Sequence, residues 1–218
     1  MIKLFKSLLI VISTFAFTAV SQATGISAGI AGNAAFYAAT GIEKESTETT
    51  KEYGGFEASH IALFLEYAPS DQFSIGVEYA PESLDSPEVV NVQEDMTTTK
   101  TRTNKTNKVS ASFEDLTTIY AMVNHSSGAY LKVGYVMVDA VINDSLATGS
   151  NYNDVDTDGY SIGLGYRYTG DNGMFIGLEV MGTEFDDISA TSTTNSDNTV
   201  TIEDAIGATA SLRIGKTF

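Results

Sequence analysis

The chain has no cysteine, so no disulfide framework and no thiolate metal site is open to it, and a small fold must find its stability elsewhere. Proline is almost as scarce. All three, Pro69, Pro81 and Pro87, fall in stretches that read as turns or loops, where they remove no ladder hydrogen bond. Beyond the N-terminus no run approaches the roughly 20 consecutive apolar residues of a spanning helix, and no segment carries a sustained 3.6-residue period, which argues against a helical membrane protein. Basic residues are few, 12 Lys and Arg against 28 Asp and Glu, for a formal charge of −16. A nucleic-acid partner is not expected, because phosphates call for a basic patch. The one basic cluster, Lys100 to Lys108, is interleaved with Thr and Asn and reads as loop.

Residues 1–23 have the composition of a secretory signal peptide: Lys3 and Lys6, an apolar stretch from Leu8 to Val20, then the small-x-small run Ser21-Gln22-Ala23. A mature domain over 24–218 is the expectation, and losing two lysines takes its charge to about −18.

What the mature chain has in abundance is alternation. Eight segments of period two run approximately over 24–38, 56–67, 73–80, 109–123, 129–138, 159–168, 174–182 and 203–218. Short turns at Ala68–Gln72, Asn124–Gly128 and Thr169–Gly173 alternate with long polar connections at 41–55, 81–108, 139–158 and 183–202, so one end of the sheet is trimmed and the other elaborated. One face carries Ile61, Leu63, Leu65, Ile75, Val77, Leu131, Val133, Ile162, Leu164, Ile176 and Leu178. The other carries Gly, Ala and Ser with Phe64, Val136, Phe175 and six charges: Glu66, Glu78, Lys132, Arg167, Glu179 and Arg213. The fourth segment, with apolar residues on both parities, does not orient itself.

Period two alone does not say which face is interior. A soluble lipocalin-like barrel puts the apolar face inside; a barrel in lipid puts it outside. The small residues on the polar face suit the tight lumen of eight strands better than a water-exposed surface. Aromatics sit at matching strand ends, Tyr67, Phe73, Tyr168 and Phe218 by the short turns and Tyr79 and Tyr160 toward the long loops, as in two interfacial girdles. Three charges of each sign on the polar face can neutralise one another in a narrow interior. The expected fold is therefore all-β: an eight-stranded antiparallel up-and-down transmembrane β-barrel.

The final segment, "ATASLRIGKTF", alternates Ala208, Ala210, Leu212 and Ile214 with Thr209, Ser211, Arg213 and Gly215 and closes on Phe218. With the leader, the eight strands and the short and long connections, it resembles the small outer-membrane β-barrel proteins of Gram-negative bacteria, the OmpA and OmpX type. Lys216 departs from that pattern, which has an apolar or aromatic residue at this outward position. The resemblance implies a place in the cell outer membrane, contact with lipid and lipopolysaccharide, and recognition of Phe218 by the barrel-assembly machinery during insertion. It implies a non-enzymatic surface protein without cofactors, structural or adhesive through its exposed loops, whose loop partner the sequence does not name. The alternatives are a narrow, low-conductance porin-like channel and, more remotely, the soluble lipocalin-like barrel. The six lumen charges are then either a plug or a gate whose ion pairs exchange partners.

Three smaller motifs compete for chemistry. His60 points inward by parity and is expected to join the polar network by hydrogen bonding rather than to act as a pH switch. Asp154, Asp156 and Asp158 with Gly159 match the first half of a calcium loop, but the twelfth position, where a bidentate Glu belongs, is Gly165; a solvated acidic loop is expected. His125 beside Ser126 lies in a short turn where backbone geometry explains both, so no hydrolase is expected.

Overall fold

The computed structural model describes residues 25–45, 48–96, 102–146 and 151–218; the residues read as a leader and cleavage site lie outside them. Eleven strands follow one another: β1 (Gly25–Glu45), β2 (Glu48–Ser70), β3 (Phe73–Tyr79), β4 (Leu84–Asp85), β5 (Val89–Met96), β6 (Arg102–Asn124), β7 (Ala129–Leu146), β8 (Val155–Thr169), β9 (Met174–Phe185), β10 (Ile188–Thr191) and β11 (Asn198–Thr217). Eight of them, in the order β1-β2-β3-β6-β7-β8-β9-β11, pair antiparallel, and β1 closes on β11 from Ser27↔Thr217 to Glu45↔Asn198. The last residue finishes the closure, because the Phe218 amide donates to the Ile26 carbonyl at 2.8 Å. The ring leaves no sheet edge along the closed part of the wall.

All eight expected segments are members of this ring. The long connections differ from expectation, since much of each is strand. β1 and β2 continue as one ladder to Glu45↔Glu48, well past the segment ends at 38 and 56. The basic stretch read as loop is the start of β6, paired with β5 from Val89↔Val109 to Met96↔Arg102, while Lys100 lies outside the described residues. The third connection shortens between β7 and β8, and β10 builds on β11 in the fourth. Thr is the commonest residue of these extensions, with Val beside it, so β-propensity was present without the apolar alternation that buries a face.

The fourth expected segment, within β6, resisted orientation for a reason visible in its backbone. Its register on β7 slips between Glu114 and Thr117, and Asp115 sits there at φ 54°. A bulge adds a residue to one strand and so changes which parity faces inward. Below it Thr118, Tyr120 and Met122 are buried, whereas above it Phe113 stacks on the inward Phe56 at 5.7 Å.

The short turns behave as read. Gly128 and Gly173 hold φ values of 94° and 79°, and a side chain on Gly128 would run into the Arg167 carbonyl, so glycine is required there on two counts.

Candidate functional site: the barrel lumen

The inward faces of β1, β2, β3, β6, β7, β8, β9 and β11 meet in a narrow space, and glycines set its shape. Each large aromatic in the lower lumen lies across the ladder from a glycine: Phe64 from Gly29, Tyr120 from Gly76, Tyr130 from Gly165, Phe175 from Gly215. In each pair the ring occupies the space a Cβ would need. The small residues expected to suit a tight lumen thus include the glycines on which these rings lie.

Between the rings the six charges expected from parity form one cluster. Arg213, 1% exposed, is its hub: Nη2 donates to Glu66 Oε1 at 3.0 Å and Nη1 to Glu78 Oε2 at 2.8 Å, with Glu179 Oε2 at 3.5 Å. Lys132, fully buried, binds Glu179 at 3.0 Å and Glu78 at 3.2 Å. Arg167 reaches both oxygens of Glu66, at 2.8 and 2.7 Å. Every acid thus touches at least two cations or donors, which is the condition under which buried ions are tolerated.

The sequence reading missed two members. Tyr120 donates to Glu66 and accepts from Arg213, both at 3.0 Å, and Tyr130 donates to Glu179 at 2.9 Å. Tyr130 shares its face with Lys132, so strict alternation was the signal for it; Tyr120 was hidden by the bulge. The cations also lie against rings: Lys132 over Tyr120 at 4.1 Å, Arg167 over Phe175 at 4.1 Å and Arg213 over Phe64 at 4.2 Å.

Above the cluster, toward the long loops, Tyr37, Phe56, Phe113 and Phe185 form an aromatic layer with centroids 5.4 to 6.3 Å apart. A small cavity of about 30 Å³, lined in part by His60, Glu78, Thr118 and Thr183, lies between layer and cluster. His60 is buried there, as expected, with Asn33 Nδ2 donating to its Nε2 at 3.1 Å, while Asn33 Oδ1 accepts from Ser211.

The outer surface is the inverse of the lumen. Ile162, Leu164, Leu178 and Val180 are 60–65% exposed, and Phe73, Tyr168 and Phe218 ring the short-turn end. On β1 the outward residues from Ile26 to Phe36 span about the length a membrane strand needs. Lys216 is outward too, with its Nζ 5.3 Å from the Phe218 ring centroid, so the departure from the expected pattern is covered by an aromatic neighbour.

The remaining candidates do not converge. Asp156 and Asp158 lie within β8, where extended backbone spaces alternate residues about 6.6 Å apart instead of wrapping them around an ion. Asp154 accepts from the Ile142 amide at 3.1 Å and Asp158 from the Tyr135 hydroxyl, and among the described residues no three acids or histidines gather as a metal site. His125 bonds Ser127, not Ser126, through Nδ1 at 2.9 Å inside its exposed turn.

Charges buried inside a closed ring and an apolar band outside it define a transmembrane β-barrel whose solvent is lipid. The soluble lipocalin-like alternative needs the opposite arrangement. No family model and no curated protein sequence matches the chain. Among solved structures it is similar to the outer membrane protein OprG from Pseudomonas aeruginosa, at 14% identity over 90% of this chain and 97% of that one with a TM-score of 0.49. It is also similar to the attachment invasion locus protein Ail of Yersinia pestis, solved with the heparin analogue sucrose octasulfate (10% identity, 87% and 99% coverage, TM-score 0.40). A third is the outer membrane protease OmpT from Escherichia coli (9%, 89% and 97%, TM-score 0.46). No residue role is carried over from them.

Proposed function

We propose that the protein is a surface protein of the bacterial outer membrane, structural or adhesive through its β-structured outer loops, with the six-charge cluster acting as a plug. The observation that carries this reading is how the cluster fills the lumen: Arg213 and Lys132 each bridge more than one acid at no more than 1% exposure, with an aromatic layer above them. Opening a water path past Arg213 would separate ion pairs that have no replacement partners within the wall. Phe218, fixed to β1 by its amide and otherwise exposed, is suited to recognition by the assembly machinery in the periplasm.

Single-channel recording of the refolded chain in a planar bilayer tests the plug, after gel mobility with and without boiling has confirmed a folded barrel. An electrically silent barrel is the expected result. Steady discrete openings, altered by Glu66→Gln or Arg167→Gln, would replace this reading with the narrow channel. Trimming residues 43–50 from the β1–β2 hairpin is expected to leave the barrel folded and to remove surface attachment to the extent that this loop makes it.

A further inference from the structure

The wall has a seam beside β2. β2 pairs with β3 from Ser70 up to Leu63↔Tyr79, and above Leu63 that edge of β2 has no ladder partner among the described residues. Past β3 the chain follows β6 instead: the Ala80 amide donates to the Leu116 carbonyl, Leu84 pairs with Phe113, and the Ser86 amide donates to the Ala111 carbonyl. Pro81 at the departure point has no amide to give. Among the described residues no backbone hydrogen bond joins β2 to residues 80–86 here, and Leu84 is buried.

His60 stands at this seam. Ser59, His60 and Ile61 of β2 line a depression with the exposed Glu82, and on the inner side His60 shares the small cavity with Glu78. Because Nε2 accepts from Asn33, the neutral ring carries its proton on Nδ1, and Nδ1 has no partner although the residue is 7% exposed. The charged groups around the ring are few. Glu78 of β3 lines the inner cavity with it, Glu82 just beyond β3 and Glu179 of β9 line the depression with it, and Lys132 of β7 and Arg213 of β11 are bound to Glu78. From β1, β6, β9 and β11 the cavity receives Asn33 and Tyr37, Thr118, Thr183 and Thr209, none of them charged at neutral pH. Asn33, bonded to the ring, lines the same cavity as Glu78.

We propose that His60, Asn33 and Glu78 form a proton-operated switch that sets how tightly the seam closes. A second proton, on Nε2, faces the Asn33 amide nitrogen, donor against donor. The amide turns over, Oδ1 accepts from Nε2–H, and Nδ2 moves to the Ser211 hydroxyl oxygen. The imidazolium then attracts Glu78 on the luminal side and Glu82 on the outer side, tying β2 to the segment after β3 where no backbone bond does so. At mildly acidic pH the seam is drawn shut; at neutral pH only side-chain packing holds it.

The chain has two histidines, so His125 in its exposed turn is an internal control. Nitrogen–proton correlation spectra of the folded protein in lipid nanodiscs, from about pH 4.5 to 8, read the switch directly. The expected result is that the Asn33 side-chain amide and the backbone amides of Ser59, Ile61 and Glu82 move together with the His60 ring nitrogens. That movement is absent in His60→Gln, unchanged in His125→Gln, and reduced at least twofold in Glu82→Gln, which alters only an exposed side chain and so serves if His60→Gln does not refold. A His60 ring that does not titrate over this range, or that titrates while the Asn33 and Glu82 signals stay still, overturns the proposal.

Discussion

Arg213 gathers two of the three luminal acids within 3.0 Å and lies 3.5 Å from the third, so removing it leaves Glu66, Glu78 and Glu179 buried with only Lys132 and Arg167 to share. An uncompensated buried charge costs about 3–5 kcal/mol, more than the net worth of the pair itself. Arg213→Met is therefore expected to lower the free energy of unfolding by that amount, read as a shift in the urea midpoint of the heat-modifiable gel band. Adding Glu78→Gln to it should recover part of the loss, because the acid left short of partners is then neutral. If Arg213→Met proves neutral, the cluster is not what holds the lumen together. The identities of the six charges were legible in the sequence because strict alternation on β2, β3, β7, β8, β9 and β11 assigns each to one face. Their pairing was not, since it depends on the stagger between strands and on the space the opposing glycines leave.

At the scale of the element, the β6 bulge shows how one residue can hide a strand. Asp115 at φ 54° lies in a region that short polar side chains tolerate, and its carboxylate accepts from the Tyr79 hydroxyl at 2.7 Å, holding the bulge against the outer end of β3. Asp115→Val combines a β-branched residue with positive φ and loses this bond, with an expected cost of about 1–2 kcal/mol. Asp115→Asn should stay within about 0.5 kcal/mol of the parent, since Asn keeps both the backbone tolerance and an acceptor oxygen. Thermal melts of the two variants followed by circular dichroism separate these outcomes. A period-two reading assumes constant parity along a strand, so it stalled at the segment with a slip in its middle, whereas the slip at Asp204 (φ 53°) in β11 falls at the edge of the eighth segment and left that reading intact. The outer extensions went unread for a different reason: beyond the bilayer neither face is apolar, and the signal on which the reading depends vanishes although the ladder continues. Tyr37 and Phe56 carry the inward parity out to that level, and following it further would have found the aromatic layer.

Across the whole molecule charge is sorted by position. Of the 28 acids only Glu66, Glu78 and Glu179 lie in the lumen and Asp71 and Asp171 in the short turns; the rest belong to the long-loop end, where the basic residues are too few to balance them. Such a surface repels itself, and the strand registers concentrate the effect where Asp139 of β7 faces Asp156 of β8 and Glu114 of β6. Partial burial pushes the Asp139 carboxyl up from its ordinary value, with Asp156 and Asp115 adding to it. A carboxyl whose acidity is weaker in the folded than in the unfolded chain holds its proton longer when folded. Its penalty is therefore present at neutral pH and is relieved as pH falls through the folded value toward the unfolded one. Asp139→Asn should accordingly stabilise the barrel at pH 7, by only a few tenths of a kcal/mol because the group is largely open to solvent. The gain should disappear by about pH 3.5, where the parent is protonated as well. Paired melts of parent and variant at the two pH values measure it. A gain that persists at the lower pH would trace the effect to packing at the β7–β8 ladder, and no gain at pH 7 would mean that solvent and counter-ions already screen this end of the molecule.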